Sequence, residues 1–205
     1  MTHVRRHADR GSTLPIYIWL TAILLFAAFA FFAFAQAASA RNGAQSAADA
    51  AALAAAQDAR DELVEGLGGA IGGDDWLDWL DGDTFGDLIT GAGATAAAQQ
   101  LAAENDSTVQ GGAQPTAVGP LPGFKVAVRT NFTVGDSIIP GTETKHATAD
   151  ATAVIAPRCD FDLDADPGDP VTLDCDGEPV DIDPEDFDLD DLPDASVLFS
   201  VHLAE

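Results

Sequence analysis

Residues 14–35 read LPIYIWLTAILLFAAFAFFAFA, and no charged side chain occurs anywhere between Gly11 and Ala40. A helix needs about 20 predominantly apolar residues to cross a hydrocarbon layer of roughly 30 Å, and this run is long enough. Pro15 falls in the first turn, where its missing N–H has no intrahelical partner to lose. Tyr17 and Trp19 lie near the same end, where amphipathic rings favour the headgroup boundary. Upstream stand Arg5, Arg6 and Arg10. Basic residues flanking a membrane helix stay on the cytoplasmic side, so the remainder of the chain is expected outside. Residues 1–13 thus read as a cytoplasmic basic head and residues 14–38 as a transmembrane helix.

Two kinds of processing compete with an uncleaved anchor. A secretory signal also begins with a basic region, and Ala38-Ser39-Ala40 resembles a small-residue cleavage site. Its hydrophobic region, however, spans only about 7–15 residues, shorter than the run here. A prepilin leader would be cut after Gly11, but the fifth residue of the product would then be Ile16 where pilin-type substrates carry glutamate. The reading adopted is an uncleaved, single-pass anchor in the cell membrane.

Working outward, residues 39–67 are rich in alanine, the best helix former, with Asp, Glu, Gln and Arg keeping the stretch soluble. They predict a helix continuing out of the bilayer, with a soft spot at Asn42-Gly43 and an end near residues 66–69. Alanines at 33, 37, 40, 44, 47, 51 and 54 follow a four-three spacing. Such a seam of small residues permits close lateral approach of a second helix.

Residues 68–123 read as a linker rich in glycine and acids, carrying short helices. WLDWLDG, residues 76–82, fits a short amphipathic helix docking on the head, and residues 94–103 a second short helix. Residues 110–123, with their glycines and prolines, read as a loop. Residues 124–205 form the expected β-rich domain. FKVAVRTNFTV (124–134) and TKHATADATAVI (144–155) alternate apolar and polar residues as half-buried strands do, with a turn around Pro140-Gly141 between them. SVLFSVHL (196–203) fits a last strand. The fold class is α+β: a transmembrane helix running into an extracytoplasmic alanine-rich helix, then a small helix-plus-antiparallel-sheet head of pilin-like layout.

The charge is unevenly placed. Residues 1–40 carry three arginines against one aspartate, a net of +2; the remainder carries six bases against thirty-three acids, a net of −27. Such a surface repels nucleic acid and anionic headgroups, so neither is expected as a partner of the soluble part. Sixteen acids and no base lie between Cys159 and Ala195, a density that predicts an extended or mobile loop. The aspartates at 160, 162, 164 and 166 invite a calcium reading. An EF-hand starting at Asp162 would place Pro167 and Leu173 where glycine and glutamate are required, so a solvated acidic loop is preferred. Outside the cytoplasm, Cys159 and Cys175 are expected to form a disulfide closing this loop; in a reducing compartment they would be free thiols. No G-x-S-x-G elbow or phosphate-cradling G-x-x-x-x-G-K occurs, and His146 and His202 stand alone on candidate strands. No catalytic residue, cofactor or metal ligand is expected, and the chain does not read as an enzyme.

The segment RNGAQSAADAAALAAAQDARDEL, directly after the membrane run, resembles the TadE/TadG-like proteins of bacterial tight-adherence (Flp) pilus assembly systems, of the actinobacterial type. The matching positions are Arg41, Asn42, Gln45, Ala47, Ala48, Asp49, Ala51, Ala52 and Leu53, within a block reaching Ala56. The likeness extends over roughly residues 10–160, since VAVRTNFTVGDSIIPGTETKHATADATAVIAPRC is similar to the β part of such members. The resemblance implies a non-enzymatic component of a pilus or related secretion apparatus. Its partners would be the bilayer, other membrane proteins of the apparatus and further copies of itself. Ile16 departs from the pilin-type members and favours the uncleaved, TadG-like kind. A second reading, unrelated to pili, is a membrane-tethered or secreted acidic domain that binds cations or cell-wall components.

Overall fold

A computed structural model describes residues 13–82, 84–135 and 141–204. The basic head with Arg5, Arg6 and Arg10, the Gly11 cleavage point and the turn at Pro140 lie outside the described residues.

One helix, α1 (Thr13–Ala70), contains both the apolar run and the alanine-rich block without a break. At Asn42-Gly43, where a soft spot was expected, the helix continues. Gly43 is instead a place of close approach: a Cβ there would stand 3.3 Å from the Phe132 ring. The first part of α1 is bare, with Leu14, Ile16, Trp19, Phe26, Phe31 and Phe34 all exposed. Large apolar side chains left uncovered over such a length have lipid as their natural solvent.

The second part of α1 is wrapped by the rest of the chain. Ala47, Ala51, Ala55, Ala59, Leu63 and Leu67 form a row spaced by four, with Ala48, Ala52 and Ala56 beside it, and all are almost fully buried. Residues four apart line one ridge of a helix, and alanine keeps that ridge low enough for neighbours to approach closely. Against it lies α2 (Ala94–Glu104), whose buried residues Ala94, Ala98 and Ala102 repeat the same spacing. The helix α2 begins beside Glu62, and Asp106 just after it accepts a hydrogen bond from the Asn131 N–H, near Phe132 and Gly43. The two helices therefore run antiparallel.

The helices cover one face of a four-stranded antiparallel sheet in the order β1 (Ser107–Val118), β2 (Leu121–Thr130), β3 (Thr148–Pro157), β7 (Phe199–Leu203). Strand β1 and the start of β2 replace the loop expected over 110–123. Glycine and proline there mark strand irregularities: Gly111 and Gly112 adopt φ of 78° and 83°, and the β1–β2 register shifts between Gln110 and Gln114. Pro115 is tolerated because β1 is an edge strand. At the other closely packed point, Gly123 of β2 lies so near β3 that a Cβ would meet the Ala153 carbonyl at 2.1 Å.

Between β3 and β7 the chain makes a second, three-stranded sheet: β4 (Cys159–Asp160), β5 (Val171–Cys175) and β6 (Glu178–Ile182). This corrects the expectation of a mobile acidic loop. Val171, Leu173 and Cys175 alternate inward with exposed Thr172 and Asp174, and all sixteen acids of the stretch remain exposed. Their charges stay in water, so mutual repulsion is screened while the apolar half of the alternation packs. A short helical turn, α3 (Ala195–Leu198), takes the first part of the strand expected over 196–203 and leads into β7.

Cys159 and Cys175 are directly opposed in the β4–β5 ladder and joined by a disulfide, with Cα atoms 4.0 Å apart. Closing a loop of this length contributes about 3 kcal/mol in the chain-entropy model. Reduction is therefore expected to lower the head's thermal unfolding midpoint by several degrees, read by circular dichroism with and without reductant.

The WLDWLDG segment forms a 3-10 turn, Trp76–Trp79, in place of the expected helix, and a second such turn spans Phe85–Leu88. Trp76 and Phe85 are fully buried. The Trp76 Nε1–H donates to the Pro167 carbonyl at 2.9 Å, tying the acidic sheet's loop to the core, and Phe85 meets Phe199 with ring centroids 5.5 Å apart.

Candidate interaction surface

The residues that carry the family resemblance divide into two sets on the helix. Ala47, Ala48, Ala51 and Ala52 are fully buried in the head core, with Leu53 packed against it. The four-three alanine seam, from Ala40 through Ala44, Ala47, Ala51 and Ala54, is thus covered by the chain's own head. Only Ala37 of that seam is exposed, and it belongs to the bare part of the helix.

Arg41, Asn42, Gln45 and Asp49 stay at the surface, the last half-buried, and border a groove along β3. Its lower part, about 380 Å³, lies between Arg41, Asn42 and Gln45 on the helix and Thr148, Ala149 and Asp150 on the strand. Its upper part, about 450 Å³, runs from Gln45 and Asp49 past Asp150 to Thr152 and ends at Leu203 and Ala204. Gln45 donates to Asp49 Oδ1 at 2.8 Å, one helical turn along, and Asp150 pairs with Lys125 at 2.9 Å on the outer face. Arg41 makes no ion pair among the described residues.

The strand side of the groove is an open sheet edge. β7 pairs with β3 only from Ala153 to Pro157, and the Ala204 N–H adds one bond to the Thr152 carbonyl. In an antiparallel ladder, alternate residues turn both backbone groups to the same side. The Thr130 N–H bonds to the Ala147 carbonyl, which assigns Ala147, Ala149 and Ala151 to β2. Thr148 and Asp150 therefore present their N–H and C=O groups to the groove. Unpaired edges of this kind are templates for an added strand.

A larger concavity of about 560 Å³ lies along Thr13–Leu25. It is one flank of the bare helix, where lipid tails would run, and lacks the converging polar groups of a ligand site.

A second polar cluster joins α1 to α2. Glu62 accepts from the Thr90 hydroxyl and, at 3.3 Å, from the Ala92 N–H. Asp58 sits against Gly93, where a Cβ would be 2.3 Å from its Oδ2. Desolvation, with repulsion from Glu62 and then Asp61, holds the Asp58 carboxyl above its ordinary pKa. A raised folded-state pKa means that the folded head holds this proton more tightly than the unfolded chain. Its penalty is present at neutral pH and is relieved as pH falls through the raised value towards the ordinary one near 3.8. Asp58→Asn should raise stability at pH 7 by up to about 1 kcal/mol, the scale of a surface charge interaction. The gain should shrink between pH 7 and 4 in parallel melts of both proteins. Asp194 acts in the opposite sense: its carboxylate, bonded by the Ser196 hydroxyl and N–H, is held below the usual range and loses its contribution as pH falls through that lowered value.

His146 lies just before β3 with Nδ1 2.7 Å from the Thr130 carbonyl, and His202 is exposed on β7. Among the described residues no group of three or more His, Cys, Asp or Glu side chains is placed to hold a metal ion. The groove's strand half was missed in sequence because pairing of the β3 edge depends on where β7 stops, which no local pattern of the chain records.

Residues 11–58 match the family model Tad, described as Flp pilus-assembly TadE/G-like. No curated protein and no solved structure matches the chain. The match ends inside the buried alanine block, so the β part of the likeness, up to residue 160, lies beyond it. The bare apolar helix, the alanine block and the surface set of Arg41, Asn42, Gln45 and Asp49 all fall within the matched span, and over residues 11–58 the chain is similar to the TadE/G-like family of Flp pilus assembly.

Proposed function

We propose that this protein is a non-enzymatic, single-pass component of a Tad/Flp-type pilus assembly or related secretion apparatus. In this reading residues 1–13 stay in the cytoplasm, residues 14–38 span the membrane, and the head from residue 39 onward stands outside. The observation that carries it is the coincidence of the family match with a helix that is bare over its first half and head-wrapped over its second. The basic N-terminal residues and the Cys159–Cys175 disulfide both support an outside head. The bilayer is the first partner. Other membrane proteins of the apparatus, or further copies of this chain, would meet the bare helix and the groove beside Arg41, Asn42, Gln45 and Asp49.

The test is a double substitution, Arg41→Ala with Gln45→Ala, in the source bacterium. These side chains are outside the core, so the head should keep its melting point. Assembly output and the size of the membrane complex on native gels should both fall severalfold. A complex of unchanged size with normal output would remove the groove from the proposal, and an unchanged complex on deleting the neighbouring apparatus proteins would remove the function.

The exposure of all sixteen acids from Asp160 to Asp194 favours, as a second reading, a tethered cation-binding or wall-binding head. A rise in melting point at millimolar calcium would support it, and an unchanged melting point would dismiss the cation form.

A further inference from the structure

The connection between β2 and β3 reaches back along α1 towards the bilayer. Phe132 lies against Gly43, and Gly135 lies beside Gln36, where a Cβ would stand 3.7 Å from Nε2. At 1.5 Å per residue, this descent covers about 10 Å of the helix axis. The apolar run ends at Ala35. Its 22 residues span about 33 Å, enough to fill the hydrocarbon layer, and the headgroups occupy roughly the next 5–8 Å. Gln36 therefore stands at the hydrocarbon boundary and Arg41 at the outer edge of the headgroups.

The described limbs of the connection, residues 131–135 and 141–147, are bonded to each other. The Val134 N–H donates to the Lys145 carbonyl at 2.8 Å, and the Thr142 hydroxyl donates to the Gly135 carbonyl at 3.1 Å. Its two limbs thus brace one another. Phe132 is 42% exposed and leaves an apolar ring edge uncovered at this end of the head. Arg41 and Lys145 are exposed and make no ion pair among the described residues. Glu143, two residues before Lys145, accepts a hydrogen bond from the Gly141 N–H at 2.8 Å. The acid-rich stretch lies towards the far end of the head, where Leu189, in the turn after β6, lies against Gly68 and the Pro184 carbonyl lies near Gly72 at the end of α1.

We propose that the head stands on the membrane by this end. Val134, next to Gly135 at the level of Gln36, sits among the headgroups of the outer leaflet with Phe132 at their outer edge, and Arg41 and Lys145 meet lipid phosphates. This rests on the reading of residues 14–35 as the membrane span. Anionic lipid repelled by the head as a whole is met locally by the cations Arg41 and Lys145.

The experiment uses the full chain in nanodiscs of phosphatidylcholine and phosphatidylglycerol. Phe132→Cys and Val134→Cys, each labelled with an environment-sensitive fluorophore, are compared with Asp164→Cys at the far end and Phe26→Cys in the span. The native cysteines are bonded to each other and leave the new thiol as the one to label. Lipids spin-labelled near the headgroup should quench positions 132 and 134 at least about twofold more than position 164. Equal quenching at 132, 134 and 164 with strong quenching at 26 by lipids spin-labelled deep in the acyl chain would overturn the docking and leave the span intact. Absence of quenching at 26 by those lipids would overturn both. Two labelled positions guard against one substitution disturbing the turn, and a melting point equal to the parent's confirms the fold.

Discussion

Ala51→Leu should destabilise the head by about 1–3 kcal/mol, because three added carbons have no space at a fully buried position between α1 and the elements packed on it. The measurement is chemical unfolding of the full chain in detergent, followed by circular dichroism, against Ala37→Leu. Ala37 is exposed on the bare part of α1, so its substitution should leave the head's midpoint where it was. The pair separates two uses of the same residue type. Were the alanine block a surface for a neighbouring helix, Ala51→Leu would alter association and spare the fold. An unchanged unfolding midpoint would show that the block is not the head's core.

Trp76→Ala should cost about 3–5 kcal/mol, the range for deleting a large aromatic from a core. The residue has no exposure, and its indole N–H is the bond to Pro167 that connects the acidic excursion to the helix layer. Two consequences can be told apart. The unfolding midpoint in denaturant should fall, and limited proteolysis should cut first within residues 160–170, whose anchor has gone. Trp76→Phe keeps most of the packing but not the hydrogen bond, and should recover more than half of the lost stability. Cleavage that begins elsewhere would mean that the excursion is held by its own sheet and disulfide alone.

The membrane run and the alanine helix were legible because each is long, uniform and chemically distinct from its surroundings. Residues 124–130 and 148–155 were legible for a similar reason, as both alternate with the period of a strand, whereas residues 131–134 and 144–147, expected to continue them, leave the sheet. The hairpin made with residues 107–118 was not. Its strand contains Gly111, Gly112 and Pro115, residues that ordinarily mark a loop, and it survives as an edge strand with a shifted register. The acidic excursion was misread through its charge. VTLDC alternates as clearly as any strand in the chain, but sixteen carboxylates outweighed five residues of pattern. Of the interaction surface, the helix half was visible as the charged and amide positions around the alanine block. The strand half emerges only from a ladder that ends early.

The unbroken course of α1 has a mechanical consequence. On the proposed topology, the helix from Gln36 to Ala70 extends about 50 Å beyond the hydrocarbon boundary. No hinge separates the part in lipid from the part inside the head. A reorientation of the buried rod by 10° would carry its outer end through roughly 9 Å, on the helical rise of 1.5 Å per residue. Forces applied to the segment within the bilayer thus arrive at the acidic far end as lateral travel, and a push on that end is felt in the lipid.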